Sequence, residues 1–236
     1  MRRALRILIP LAIVAGLLLI LDRGSVAVAQ RVSASRLGDY AQFQKKPTVR
    51  IHGFPFLTQV FSGSLDDVEV RSDSVSVGSV TDAKFDVHLR GASLPLSKLI
   101  GGKIASLPVD KVNGDVVLTY ADLSRLSTVT GLTFARNGDF LQISGRPTVP
   151  GIGAVGAVNA TAAVSVLSGG LRARITSLQI GGAAVTGTTL SVVSGLLASA
   201  IVIPPLPYGL KLDSVQLTDA GLRVIGSGTK VTLTAP

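Results

Sequence analysis

The sequence predicts an α+β fold: a twisted, largely antiparallel sheet curling over an N-terminal amphipathic helix and several short helices. Three observations predict it. Segments in which apolar and polar residues alternate recur from Thr48 to the end of the chain. Turn signals rich in Gly, Pro, Asn and Ser separate these segments. Long helical periodicity is confined to the residues before Lys46.

The first element is a leader. Arg2, Arg3 and Arg6 precede an apolar run from Ile7 to Leu21. A charged start followed by about fifteen apolar residues is a signal peptide or a short signal anchor. The positive end stays cytoplasmic, so the chain after Asp22 is expected to be exported and to remain at the inner membrane or in the cell envelope. Residues 1–23 therefore read as signal peptide or N-terminal membrane anchor, and 24–236 as one exported domain. Ala27-Val28-Ala29 fits a small-residue cleavage site. A helix of about fifteen residues spans only about 22 Å, short of the hydrocarbon core, although Leu5 and a snorkelling Arg6 would extend a transmembrane helix. Against cleavage, Asp22 to Lys46 reads as one amphipathic stretch, with helix over 24–46. Ala29, Val32, Leu37, Tyr40 and Phe43 fall on one face of it. Both readings stay open.

The strands follow. Thr48 to Gly53 is a short strand opened by Pro47, and Leu65 to Val77 a second extended segment. In Val80 to Arg90 the residues Ala83, Phe85, Val87 and Leu89 alternate with Lys84, Asp86, His88 and Arg90, so one face is buried and one wet. Leu94 to Ile104 is a short helix or irregular connection, Lys111 to Tyr120 a strand, and Ala121 to Thr128 a short helix. Leu132 to Ser144 is a hairpin turning at Asn137-Gly138. Ala154 to Val166 and Leu171 to Ile180 pair through Ser168-Gly169-Gly170, and Thr188 to Val202 is an apolar helix. Lys211 to Leu233 closes the chain in strands, with turns near Ala220-Gly221 and Ser227-Gly228. Leu65-Asp66-x-Val68-x-Val70 echoes Leu212-Asp213-x-Val215-x-Leu217, a hint of two similar strand layers.

Composition narrows the function. There is no cysteine, hence no disulfide framework and no thiolate chemistry. The formal charge is +9. Such a balance suits anionic lipid headgroups or simple solubility. Nucleic acid is disfavoured, because no Lys/Arg cluster carries interleaved aromatics. Glu69 is the only glutamate, and Ile175 to Leu210 carries no charge. Pro204, Pro205 and Pro207 make that stretch a poor membrane helix. It fits strands and a helix sandwiched in a core, or lining an apolar groove that a bound acyl chain could fill.

Catalysis finds little support. His52 and His88 stand in strands without ligand spacing, so no metal site is suggested. No Gly-x-Ser-x-Gly elbow and no nucleotide-type glycine loop occurs. Asp66-Asp67 is a poor carboxylate pair, since consecutive strand residues face opposite sides.

The most distinctive word is Gly53-Phe54-Pro55-Phe56-Leu57-Thr58-Gln59. It reads as a core plug at a tight turn, or as an apolar lip at a lipid groove or a wedge into a bilayer surface. The longer word from Pro47 to Gln59 resembles the hallmark of the LmeA-like phospholipid-binding family of bacterial cell-envelope proteins. The resemblance continues through Leu65-Asp66-Asp67-Val68-Glu69-Val70, Val87-His88-Leu89-Arg90-Gly91 and Pro207-Tyr208-Gly209-Leu210. It implies an exported or membrane-anchored protein that binds phospholipid and serves assembly of lipid-anchored envelope glycans. It supplies no catalytic residue and no cofactor.

The expected function is thus non-enzymatic phospholipid binding in the envelope. The partners would be phospholipid and the membrane surface, reached through the N-terminal segment and basic residues. Phe54, Phe56, Leu57 and Phe61, with Phe85, Val87 and Leu89 of the alternating strand, are the candidate lipid-binding residues. The alternatives are an interaction module for an envelope enzyme that carries no lipid, and a lipid hydrolase with a nonstandard site.

Overall fold

The computed structural model describes residues 2–40, 42–43, 46–77, 80–93, 106–149, 153–154, 156–167, 169–199 and 206–234; within these, the side chains at 2–13, 36–40, 42–43, 77, 149, 153–154, 189, 192, 196, 199 and 207 are outside the description. The chain opens with one helix, α1 (Arg2–Tyr40). Next come β1 (Gln42–Phe43), β2 (Thr48–His52), the short helix α2 (Phe56–Ser62), β3 (Ser64–Val77) and β4 (Val80–Ser93). β5 (Ser106–Leu118), α3 (Tyr120–Leu126), β6 (Thr130–Asn137) and β7 (Phe140–Val149) follow. The remainder is β8 (Gly153–Ala154), β9 (Val158–Leu167), β10 (Gly170–Ile180), β11 (Ala183–Ala184), α4 (Gly187–Ser199), β12 (Lys211–Thr218) and β13 (Gly221–Thr234).

The strands form two sheets. The first has the order β1-β3-β4-β5-β13-β12, with β2 also paired to β3; the second has the order β11-β10-β9-β7-β6, with β8 on β7. The pairings are antiparallel throughout. The α+β class and antiparallel pairing are those the alternation predicts. The cover includes a second sheet, which with α3 and α4 packs on the first sheet; the sequence reading named helices and a bound acyl chain for that place. Alternation reports that a strand has one wet face; it does not report which strands share a sheet. The two echoed segments fall in β3 and β12, which lie toward opposite edges of the same sheet and not in two layers.

Four boundaries differ from expectation, each for a local reason. The first helix ends at Tyr40, because Gln42 and Phe43 pair with Ser76 and Val75 as strand; Phe43 therefore leaves the helical face. Asn137 pairs with Phe140, so the hairpin turns on Gly138 and Asp139, with Gly138 at φ +60° as a two-residue loop requires. β5 begins at Ser106, ahead of Lys111, because its early residues pair with the end of β13. Ser227-Gly228 is no turn: β13 runs through it unbroken. The glycines there answer to packing, since a Cβ at Gly226 would stand 2.8 Å from the Leu206 side chain and one at Gly228 2.6 Å from that of Leu210. The expected elements at Leu94 to Ile104 and after Ser199 lie outside the described residues.

One core joins the two sheets. Leu141, Ile143, Ala160 and Ala162 of the second sheet meet Ala83, Leu118, Leu222 and Val224 of the first, with Leu123 of α3 and Leu197 of α4 in the same cluster. A separate cluster of Ala92, Val109, Val112 and Val231 occupies the other end of the first sheet.

A buried carboxylate ties the first sheet to α3. Asp122 is fully buried. It accepts hydrogen bonds from the Thr81 backbone N–H at 3.0 Å, the Thr119 hydroxyl at 2.7 Å and the Arg125 guanidinium at 2.6 Å. Burial pushes this carboxyl up, but the bonds from Thr119 and Thr81 and the Arg125 charge outweigh it and hold it below the usual carboxylate value. A depressed folded pKa contributes stability that is complete above the unfolded value, about 4, and is lost as pH falls through the folded one. Asp122→Asn should therefore cost about 1.5–3 kcal/mol near neutral pH and much less in acid below the carboxylate range. Urea unfolding at the two pH values checks this; an equal cost at both would contradict it.

Candidate functional site

The word around Pro55 builds a three-way junction of α1, α2 and the first sheet. Gly53 has φ +97°, and a Cβ there would stand 2.4 Å from the Gln59 amide. Glycine is thus required twice, for the turn and for the approach of Gln59. Gln59 is buried. Its Oε1 accepts from the Asp66 backbone N–H at 2.9 Å, and its Nε2 donates to the His52 carbonyl at 3.4 Å. One side chain thus clamps α2 between the end of β2 and the start of β3. Gly63 ends α2 in the left-handed conformation, at φ 72°.

Pro55, at the start of α2, has no side-chain oxygen to cap the helix. Asp22 of α1 supplies one: its Oδ1 accepts from the Leu57 N–H at 2.8 Å. Asp22 is buried. Beside it, the Arg23 guanidinium lies 4.8 Å from the centre of the Phe54 ring, a cation–π contact.

Asp22 is also where α1 meets the domain. From Val14 to Leu21 the large apolar side chains are exposed, up to 70% at Ile20. From Asp22 onward one face is covered: Asp22 and Val26 are buried, and Ser25, Ala29, Gln30, Ser33 and Ala34 are half-buried. The spacing is helical, but the face differs from the expected one. Val32 is 48% exposed, because the packing face follows Asp22 and Val26; the side chains of Leu37, Tyr40 and Phe43 lie outside the described ones. Among the described residues no helix is long and apolar enough to cross a membrane, which leaves β-barrels unaddressed; in the expected Ile7 to Leu21 span the side chains at 7–13 lie outside the described ones.

The candidate lipid residues separate into three environments. Phe56 is buried at 7% exposure, the position of a plug. Phe54 and Phe61 are 57% and 75% exposed. Leu57 is half-buried, and its backbone N–H donates to Asp22 of α1. The expected lip of Phe54, Phe56 and Leu57 is therefore split: Phe56 turns inward at the start of α2, Leu57 is half-buried, and Phe54 is exposed on the turn before the helix. Phe85, Val87 and Leu89 share the apolar face of β4, all half-buried. Phe85 packs on the main core, Val87 and Leu89 on the smaller cluster. The row between them runs Val87, Gly114, Gly226 across β4, β5 and β13. Leu206 and Leu210 lie over the β13 end of this floor. Sequence reasoning missed Gly114, Gly226 and Leu206, since only sheet register brings them together.

The opposite face of the same strands is a charged ladder. His52 Nε2 lies 2.9 Å from Glu69 Oε2, and His88 Nδ1 3.1 Å from both Asp67 oxygens. Arg50 pairs with Glu69 at 3.4 Å, Arg71 with Glu69 and Asp86, and Arg223 with Asp115. The imidazoles stack with centroids 6.3 Å apart. The hydrogen bond with His52 chiefly holds Glu69 below the usual carboxylate value, against the cost of its burial. Among the described residues no three His, Cys, Asp or Glu side chains are placed to hold a metal ion. The ladder neutralises itself across strands and keeps this face wet.

A shallow depression of about 340 Å³ lies between β9 and β12, lined by Asp139, Val164, Val215, Gln216 and Leu217. Its carboxylate and amide suit an acyl chain less well than the apolar face of β4 does.

Comparison with known proteins bears on the reading of this geometry. The model of the LmeA-like phospholipid-binding family matches residues 20–227, most of the chain. No curated protein and no solved structure gives a significant match.

The three environments separate by mutation. Phe56→Ala should cost about 3–5 kcal/mol of stability, as a buried ring does. Phe61→Ala should stay within about 0.5 kcal/mol of the parent. Thermal and urea unfolding measure both; equal effects would contradict the inward and outward assignment.

Proposed function

This chain belongs to the LmeA-like phospholipid-binding family, and from that premise we propose a non-enzymatic phospholipid carrier of the cell envelope. It works outside the inner membrane, held there by α1, and supports assembly of lipid-linked glycan or other envelope material. The single observation that carries the reading is the family match over residues 20–227. The apolar face of the first sheet supplies the physical means.

In this reading the acyl chain lies along the row of Val87, Gly114 and Gly226, between the two apolar clusters. Phe85 borders it on one side, and Leu89 and Leu210 on the other. Glycine keeps this floor low under its neighbours: a Cβ at Gly114 would stand 2.8 Å from the Val87 side chain and one at Gly226 2.8 Å from that of Leu206. Burial of each methylene is favourable by about 0.8 kcal/mol, so part of one chain gives affinity without any catalytic group. The basic excess of the chain, +9 overall, favours an anionic headgroup at the mouth.

The experiment is extraction of the purified protein with organic solvent, followed by mass spectrometry for co-purifying phospholipid. Phospholipid at near one molecule per chain is expected, and its absence after reloading from vesicles would leave the lipid-free interaction module as the better account. Val87→Phe tests the seat. Overpacking costs about 1–3 kcal/mol at a filled site; at an open acyl seat the variant should fold with smaller loss and retain much less lipid. Unchanged lipid per folded molecule would move the seat elsewhere.

A further inference from the structure

Resting on the reading that this protein works at a bilayer, we propose that Phe61 on the outer face of α2, Phe54 on the turn that leads into it, and Arg23 of α1 dock into the interface of an anionic phospholipid membrane. This surface is separate from the acyl seat on the first sheet, and it would set how the domain stands on the membrane.

Four observations place it. Phe61 is 75% exposed, more than any other large apolar side chain described, and Phe54 is 57% exposed. Phe61 stands on the outer side of α2 with exposed Thr58 and Ser62, while Phe56 and Gln59 face inward; Phe54 is exposed on the turn just before the helix. Burial of Phe56 fixes that orientation, so the outer rings cannot turn in without unseating the plug. A short uncharged helix with one outward ring, and a second exposed ring on the turn before it, suits a headgroup–acyl boundary, where an aromatic body enters the apolar layer.

The second element is continuity with α1. Its apolar side chains are exposed from Val14 to Leu21, and a helix exposed in this way finds cover in a membrane. Arg23 lies two residues beyond Leu21, about 3 Å further along the axis. It is held over the Phe54 ring at 4.8 Å, and its side chain is 56% exposed. The end of the apolar helix, the Arg23 cation and the Phe54 ring thus meet at one place, beside the start of the helix that carries Phe61. The Asp22 hydrogen bond to Leu57 keeps them there. Arg23 is positioned to meet a lipid phosphate while the rings enter below it, which is why the occupant is an anionic bilayer and not an apolar protein groove.

The protein has no tryptophan, so single tryptophans report depth without background. The full chain carrying Phe61→Trp is mixed with vesicles of phosphatidylcholine and phosphatidylglycerol brominated high on the acyl chain. The expected result is a blue-shifted emission with strong loss of intensity. Phe140→Trp, 43% exposed on the second sheet, should keep the emission it has in buffer. Leu18→Trp reports α1 alone. Quenching of Leu18→Trp without Phe61→Trp would overturn the docking surface and leave the membrane anchor standing. No quenching of either would fail the underlying bilayer reading. Equal quenching of Phe61→Trp and Phe140→Trp would mean adsorption without a preferred face, and equal quenching of Phe61→Trp on phosphatidylcholine alone would remove the anionic requirement; both overturn the proposal.

Discussion

The constraint on which this structure turns is that the first sheet has more apolar face than the second sheet covers. β3, β4 and β13 are each 14 residues and β5 is 13, so these strands reach roughly 45 Å. β9 and β10 have 10 and 11 residues, roughly 35 Å. The sheets share a core at one end only. Beyond it the first sheet supports its own small cluster, with glycines facing glycine across β5 and β13 at Gly114 and Gly226. The wet face meets no such difficulty, because carboxylates alternate with Arg and His across β2, β3 and β4 and cover one another. A long strand with one self-satisfied polar face and one incompletely covered apolar face is suited to an apolar guest.

The N-terminal junction ties α1 and α2 to that sheet, and under the proposed function it would give the sheet a direction relative to a membrane. Asp22 takes two tasks at one position. It caps α2 in place of the side-chain oxygen that Pro55 lacks, and it begins the covered face of α1. Gln59 transmits the position of α2 to the ends of β2 and β3. The exposed helix, the aromatic face of α2 and the first sheet are therefore linked through a few buried polar contacts. The hallmark word from Gly53 to Gln59 is in this sense a joint: glycine for approach, one ring inward, one outward, and an amide clamp.

Much of this was legible in the residues, and the part that was not has physical causes. The strand of Ala83, Phe85, Val87 and Leu89 was clear because period-two alternation is a local property. The α+β class followed from the same signal. The division into two sheets was not legible, since pairing depends on contacts far apart in sequence. Ser227-Gly228 reads as a turn in one dimension and is a packing recess in three, because Leu210 comes from another segment. The apolar word around Pro55 announced its importance but not the orientation of each ring, which the helical twist of α2 decides. Val32 pointed away because Asp22, a polar residue outside any hydrophobic pattern, sets the buried face of α1.

The central claim is that phospholipid occupies the apolar face of the first sheet. The most direct measurement uses a phospholipid with a photoreactive group along its acyl chain, loaded into the full-length protein, followed by mass-spectrometric mapping of the labelled residues. The account predicts labels on inward residues of β4, β5 and β13, led by Val87 and Leu89, and on the segment of Leu206 and Leu210. Labels confined to the ladder of His52, Glu69 and His88, or to the depression between β9 and β12, would contradict it.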